Sequence, residues 1–281
     1  MKILLADHFG ICFGVRDAIA QAEDLAREAP LTILGQLVHN PIVRERLQTH
    51  GVAESSLDET RANSQRVMIT AHGASDRKHE MWRNAGFDVV DGTCPLVRHA
   101  HDQLKRPVNR GFFPVVIGKH DHVEVRGLTE DFSETVVVEV SSDIRNLPKR
   151  QRYGVISQTT QPIDHVRGLV QEIQKRHLNS EVRFVDTVCR PTKNRQLALR
   201  KLIAVADAIV VVGGHHSNNT RQLVETCISA GKPAFYIERA EELRPHWFSA
   251  EDIVGLTAGT STLPETVEAV RQRLLEFAGN V

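Results

Sequence analysis

The chain alternates between short, nearly unbroken apolar runs and longer stretches in which apolar positions recur every three or four residues. "KILLA" (2–6), "LTILG" (31–35), "RVMIT" (66–70), "FDVVD" (87–91), "FPVVIG" (113–118), "TVVVEV" (135–140), "YGVIS" (153–157), "VRFVD" (182–186), "AIVVVGG" (208–214), "PAFYI" (233–237) and "DIVGLT" (252–257) have the length and composition of buried strands. Runs at 15–27, 98–108, 163–176, 194–205 and 219–230 carry their apolar residues at helical spacing. Strand and helix in regular alternation predict parallel sheets joined by right-handed crossovers.

The same pattern contains a repeat. Cys12, Cys94 and Cys189 each follow an expected strand and precede an expected helix: "KILLADHFGIC", "FDVVDGTC", "VRFVDTVC". At nearly equal distances beyond them, Gly35, Gly118 and Gly213 end a strand and open the polar loops "GQLVHN", "GKHDHVE" and "GGHHSNN". A further strand-end loop follows in each unit: "ITAHG", "ISQTT" and "LTAGTS". We expect three α/β modules, at 1–92, 93–187 and 188–281, the last with a C-terminal helix. Ligand sites of α/β sheets lie outside the carboxyl ends of strands, so three modules about a pseudo-threefold axis would direct nine loops into one central cavity, in a trefoil-like arrangement.

Composition narrows the chemistry. Thirty-five basic and thirty-five acidic side chains cancel to zero formal charge, leaving no electrostatic footprint for nucleic acid or an anionic membrane. No apolar run approaches the roughly 20 residues of a membrane span, and the first residues lack the layout of an export signal, so a cytoplasmic protein with reduced thiols is expected. Three thiolates at equivalent loop positions leave one coordination site open, either on zinc or on one iron of a [4Fe–4S] cluster. Cys227, mid-helix in "RQLVETCISAG" and without a repeat partner, reads as a core residue. His39, His72 and His122 stand in the repeat loops with Ser217, Asn219 and Ser261, a donor set suited to a phosphate or diphosphate. Glu124, two residues beyond His122, is placed for proton transfer. No GxGxxG or P-loop sequence supports a nicotinamide or nucleotide reading.

"GICFGVRDAI", "LVHN", "AHG", "DGTCPLVRHAH", "HVEV", "SQTT", "DTVCRPTKNRQ", "SNNTRQL" and "TAGTS" occur in the order found in the LytB/IspH family of 4-hydroxy-3-methylbut-2-enyl diphosphate reductases, which this chain resembles over nearly its whole length. The resemblance implies a three-lobed α/β enzyme with one [4Fe–4S] cluster on Cys12, Cys94 and Cys189 and one open iron. It implies catalytic roles for Glu124, Thr159 and His122, with Thr192 beside the cluster. His39, His72, His122, Thr159, Ser217, Asn218, Asn219 and Ser261 would bind the allylic diphosphate, and a ferredoxin or flavodoxin would bring single electrons. The products would be isopentenyl and dimethylallyl diphosphate.

The chain departs from the family's usual pattern at several points. Gly92 stands where Ala is usual, Asn218 where a second Ser is usual, and Lys119, His120 and Asp121 where a His-x-Gly stretch is usual. Phe13 replaces a small residue, and the order Arg16–Asp17 is reversed. Two alternatives follow: a paralogue using the same cluster on another substrate, and a zinc-stabilised binding protein of the same fold.

Overall fold

A computed structural model describes residues 1–38 and 40–279. They form twelve strands and nine α-helices: β1 (Lys2–Leu5), α1 (Phe13–Glu28), β2 (Leu31–Leu34), α2 (Pro41–Thr49), β3 (Ala53–Ser55), β4 (Arg66–Ile69), α3 (Asp76–Asn84), β5 (Asp88–Asp91), α4 (Pro95–Val108), β6 (Phe113–Ile117), α5 (Val123–Thr129), β7 (Val136–Val138), β8 (Arg152–Ser157), α6 (Ile163–Arg176), β9 (Glu181–Phe184), α7 (Arg190–Val205), β10 (Ala208–Val212), α8 (Asn218–Ser229), β11 (Ala234–Ile237), β12 (Ile253–Ala258) and α9 (Pro264–Gly279). Two compact units are present. One comprises Met1–Arg16, Val38–Arg46 and Arg190–Val281; the other comprises Asp17–Leu37 and Leu47–Cys189.

The strands make three four-stranded, all-parallel sheets ordered β3-β2-β4-β5, β7-β6-β8-β9 and β11-β10-β12-β1. The second unit holds the first two and the first unit holds the third. All three orders are the same, with β1 in the third sheet taking the place that β5 and β9 take in the others. The α/β class and the three similar modules expected from the repeat are therefore present. Sheet membership, however, does not follow chain order at the N-terminus, because β1 pairs with β12 from Lys2 opposite Ile253 to Leu5 opposite Leu256.

Parallel sheets are covered on both faces, so their central strands bury both sets of alternating side chains. In β10, Val210 and Val212 join Val267, Val270, Leu274 and Phe277 of α9. Ile209 and Val211 of the same strand face Leu199 and Leu202 of α7 and Leu223 and Cys227 of α8. In β6, Val115 and Ile117 pack with Val166, Val170 and Ile173 of α6, while Val116 meets Ala100 and Leu104 of α4 and Val125 and Leu128 of α5. Each such side chain contributes about 1.5–3 kcal/mol by leaving water. Cys227 is fully buried within this core, and burial pushes its thiol up to about 12, in keeping with its reading as a packing residue.

At the carboxyl edges the backbone is drawn tight. Gly10 and Gly92 donate their N–H groups to the last carbonyls of β12 and β4, Ala258 and Ile69, at 3.1 and 3.0 Å. In the middle sheet Thr187 meets the equivalent carbonyl of Ser157 with its hydroxyl, at 2.5 Å. A Cβ on Gly92 would stand 2.5 Å from the Ile69 carbonyl oxygen and 2.4 Å from Met68 Cε. The alanine that the family resemblance leads one to expect here therefore does not fit this edge unless the loop moves. Gly168, by contrast, sits in α6 with nothing near its missing Cβ. Thermal unfolding should show Gly92→Ala destabilised by about 1–3 kcal/mol and Gly168→Ala stabilised by about 0.5–1 kcal/mol. Equal effects from the two would remove the crowding argument.

Candidate active site

Each of the three cysteines lies immediately before the first residue of a helix: Cys12 before α1, Cys94 before α4 and Cys189 before α7. Each donates its backbone N–H to a loop carbonyl two residues past the end of the neighbouring strand. These bonds are Cys12 to Thr260 at 3.1 Å, Cys94 to Ala71 at 3.1 Å and Cys189 to Thr159 at 2.9 Å. The bond recurs in all three sheets, so the equivalence seen in the repeat is an equivalence of backbone geometry. All three thiols are half-buried and none is in a disulfide.

The glycine-opened loops form a second set. Gly35, Gly118 and Gly213 donate to the ends of β3, β7 and β11, at Ser55, Val138 and Ile237 (2.7, 3.0 and 2.9 Å). Gly213 has φ +152°, and a Cβ there would lie 2.6 Å from Thr220 Oγ1, so only glycine is accommodated. Each loop then ends in a side-chain helix cap. Asn40 Oδ1 accepts from the Ile42 N–H at 2.9 Å, His122 Nδ1 from Glu124 at 3.2 Å and Ser217 Oγ from Thr220 at 3.3 Å. With Nδ1 of His122 as the acceptor, the neutral form of the ring carries its proton on Nε2. The His72 and His122 rings meet edge to face at 5.6 Å between centroids.

Glu124 is the buried acid of the set, 1% exposed. Its carboxylate accepts the Thr159 N–H at 2.6 Å and the Thr159 hydroxyl at 3.0 Å. Burial pushes its pKa up to about 7, against the lowering effect of the two Thr159 bonds. Glu124, Thr159 and the backbone of Cys189 thus form one connected chain of hydrogen bonds in the middle sheet.

In the first unit, Ser217, Asn219 and Ser261 are buried. Asn219 Oδ1 accepts the Thr260 N–H at 3.0 Å, which turns its amide nitrogen away as a donor. Asn218 Nδ2 and Ser261 Oγ are buried with no hydrogen-bond partner among the described residues. An unmade buried bond costs about 1–3 kcal/mol. Thr192 is fully buried in the first turn of α7, whereas Phe13 is 39% exposed at the start of α1. Lys119 contributes its backbone N–H to Gln158 Oε1 at 3.1 Å. His39 lies outside the described residues.

Three residues that shape these loops were not singled out from sequence. Asn40 caps α2 and donates to the Ser261 carbonyl at 2.6 Å. Arg195, buried in α7, donates to the Gly10 carbonyl beside Cys12 and to the Pro191 carbonyl at 3.0 Å. Gln158 receives Lys119 and Gln161 on one oxygen. Asn40 is the repeat counterpart of His122 and Ser217, so the repeat offered a signal for it; Arg195 and Gln158 offered none.

Residues 3–275 match the family described as LytB protein. This chain belongs to that family. It is 35% identical to the 4-hydroxy-3-methylbut-2-enyl diphosphate reductase of Aquifex aeolicus, over 99% of this chain and 97% of that protein. It is also 35% identical to the enzyme of the same name from Trichlorobacter lovleyi, over 98% of both chains. Among solved structures, the E-1-hydroxy-2-methyl-but-2-enyl-4-diphosphate reductase of Plasmodium falciparum superposes with a TM-score of 0.91 at 25% identity, over 99% of this chain and 89% of that one. A second, described as (E)-4-hydroxy-3-methyl-but-2-enyl diphosphate reductase, the terminal enzyme of the non-mevalonate pathway, gives 0.71 at 34% identity, over 98% of this chain and 99% of that one.

Among the described residues no three His, Cys, Asp or Glu side chains close on a point suited to a single metal ion. A cluster, in which each thiolate binds a different iron, does not require them to. The donor chemistry fits a cluster: three half-buried thiols, each at a helix N-terminus and each in the same backbone setting. No helix among the described residues is long and apolar enough to cross a membrane.

The raised Glu124 pKa has a consequence for stability. Its folded value of about 7 exceeds the ordinary 4.5, so the neutral acid is favoured in the fold. Its stabilising contribution is complete below the ordinary value and is lost as pH rises through about 7. Glu124→Gln, which keeps the shape without the charge, should gain on wild type by about 3 kcal/mol between pH 4 and pH 8.5 in denaturant unfolding. Parallel pH dependences for the two proteins would contradict a buried, raised acid.

Proposed function

We propose that this chain reductively dehydroxylates 4-hydroxy-3-methylbut-2-enyl diphosphate to isopentenyl and dimethylallyl diphosphate, using one [4Fe–4S] cluster held by Cys12, Cys94 and Cys189. The observation that carries the reading is the threefold recurrence of a half-buried cysteine at the N-terminus of a helix, tied by its N–H to the adjacent strand-end loop. Family membership and the names of the relatives support the substrate. When bound, such a cluster supplies electrons one at a time and, at its open iron, a Lewis-acid site.

The reaction takes up two electrons and two protons: the carbon–oxygen bond breaks, the hydroxyl leaves as water with one proton, and a carbon of the allyl unit takes the other. Glu124, with a pKa near 7, is protonated in about half of the molecules at neutral pH. Its carboxyl group is 3.0 Å from the Thr159 hydroxyl, so that hydroxyl can pass the proton to the departing oxygen. His72 and His122 would grip the diphosphate. His39 and the donors of Ser217, Asn218, Asn219 and Ser261 would complete the grip. The unpartnered amide of Asn218 supplies a donor where related sequences offer a hydroxyl. A ferredoxin or flavodoxin is the proposed electron source, because the chain has no motif for a second redox cofactor and a hydride donor gives electrons in pairs.

Anaerobically purified protein should contain about four irons and four sulfides per chain. Serine at Cys12, Cys94 or Cys189 should degrade the cluster, and Cys227→Ser should leave it intact. Stoichiometric zinc without acid-labile sulfide would overturn the proposal, as would absent turnover in a cluster-loaded wild type with a one-electron donor in excess.

Glu124→Gln should keep cluster and fold while lowering turnover by about two to four orders of magnitude. Wild-type turnover should fall as pH rises through about 7, because the acid must be protonated to act. Anaerobic steady-state rates against pH test both statements. A variant retaining nearly full turnover would move the proton source elsewhere.

A further inference from the structure

Within the second unit, the helix that carries Glu124 is fastened at its far end to the segment that carries His72. α5 begins at its cap His122 and ends at Glu130, about 10 Å along the helix axis. The next residue, Asp131, places both carboxylate oxygens on the start of α3: Oδ2 accepts the Asp76 N–H at 2.9 Å and Oδ1 the Arg77 N–H at 3.1 Å. Ser75 Oγ takes the third exposed amide of that helix, Lys78, at 3.3 Å. The first turn of α3 is thus capped mainly by a residue 55 positions away in the chain.

Further contacts reinforce this joint. Ser75 Oγ donates to Glu130 Oε2 at 3.0 Å, and Arg77 Nη1 donates to the Glu130 carbonyl at 3.2 Å. Asp58 bridges the two helices, 2.7 Å from Lys78 Nζ and 3.5 Å from Arg126 Nη1. Gly127 of α5 lies so close to Ala74 that an added Cβ would be 3.3 Å from the Ala74 Cα. His72 is two residues before Ala74, and its ring meets that of His122. Both ends of α5 therefore rest on the 72–77 segment: the His122 end through a ring contact, the Asp131 end through a paired carboxylate cap.

We infer that Asp131 is a positioning residue for the reaction. By capping α3 it fixes how α5 lies against the His72 loop, and so sets the His72–His122 spacing and the burial of Glu124. It touches none of the site residues and acts only through the two helices. The inference rests on the proposed reductase reading for its kinetic part, while the joint itself can be tested without turnover.

The test uses the cluster-loaded protein with Asp131→Asn, Asp131→Glu and the control Glu134→Gln. Glu134 loses the same charge three residues away but is bonded to Arg150 instead of α3. Hydrogen exchange read by mass spectrometry should show Asp131→Asn exchanging faster in both 71–78 and 119–130, with Glu134→Gln at wild-type rates in both. In turnover, Asp131→Asn should raise KM for the diphosphate about three- to tenfold, the size of a lost helix cap. Its alkaline pH limb should move to lower pH, because a loosened α5 admits water to Glu124. Asp131→Glu should recover part of each loss. Faster exchange confined to 71–78, with KM and the pH limb unchanged, would overturn the inference, and so would an equal effect from Glu134→Gln. In a protein without reductase turnover the exchange result decides alone: coupled loosening of both segments supports the joint, and loosening of only one refutes it.

Discussion

The structure depends on one recurring backbone hydrogen bond, from the N–H of each cysteine to the carbonyl two residues past the end of the neighbouring strand. In a parallel sheet all strands finish at the same edge, and each chain must then turn away into a helix. The bond is where that turn is stopped and aimed. It leaves the cysteine at the helix N-terminus with its thiol partly exposed, and it joins the cysteine loop to the loop that carries Thr260, Ala71 or Thr159. The proposed proton source, Glu124, and the proposed cluster ligand, Cys189, thereby share one scaffold in the middle sheet.

Stability and chemistry occupy opposite parts of each module. The strand interiors are covered on both faces by aliphatic side chains and need no help from the loops. The carboxyl edges carry costs of their own: a buried carboxyl group, Asn218 Nδ2 and Ser261 Oγ with no hydrogen-bond partner among the described residues, and glycines where no Cβ can be placed. Proteins place such costs at functional sites, where the unmade bonds are completed by a ligand. Neutral overall charge is consistent with the proposed site, in which local donors and not a long-range field would meet the anion.

Much of the fold was legible in the chain because central parallel strands are apolar throughout and their helices are amphipathic. What escaped notice had no such signature. β3 is a three-residue edge strand, "AES", held by backbone pairing with β2. α3 buries only Trp82, with Met81 half-buried beside it, and its other residues are polar, so its start depends on the caps Ser75 and Asp131 more than on an apolar stripe. α5 spans less than two full turns, too short for periodicity to register. Within the candidate site, the cysteines and the loop histidines were visible because they recur. Arg195 and Gln158 act through bonds to other segments and recur nowhere.

The sequence by itself determined the alternation of strand and helix, the threefold repeat, and the separation of Cys227 from the other three cysteines, because these are properties of local spacing and residue type. Only the tertiary structure decided that β1 completes the sheet of the C-terminal strands, that His122 spends Nδ1 on a helix cap, and that Glu124 is shut away from water against Thr159. It also decided that Asp131 caps a helix far from it in the chain. Each of these is a pairing between segments distant along the backbone, and a pairing of that kind is set by which surfaces exclude water together, which no window of neighbouring residues contains.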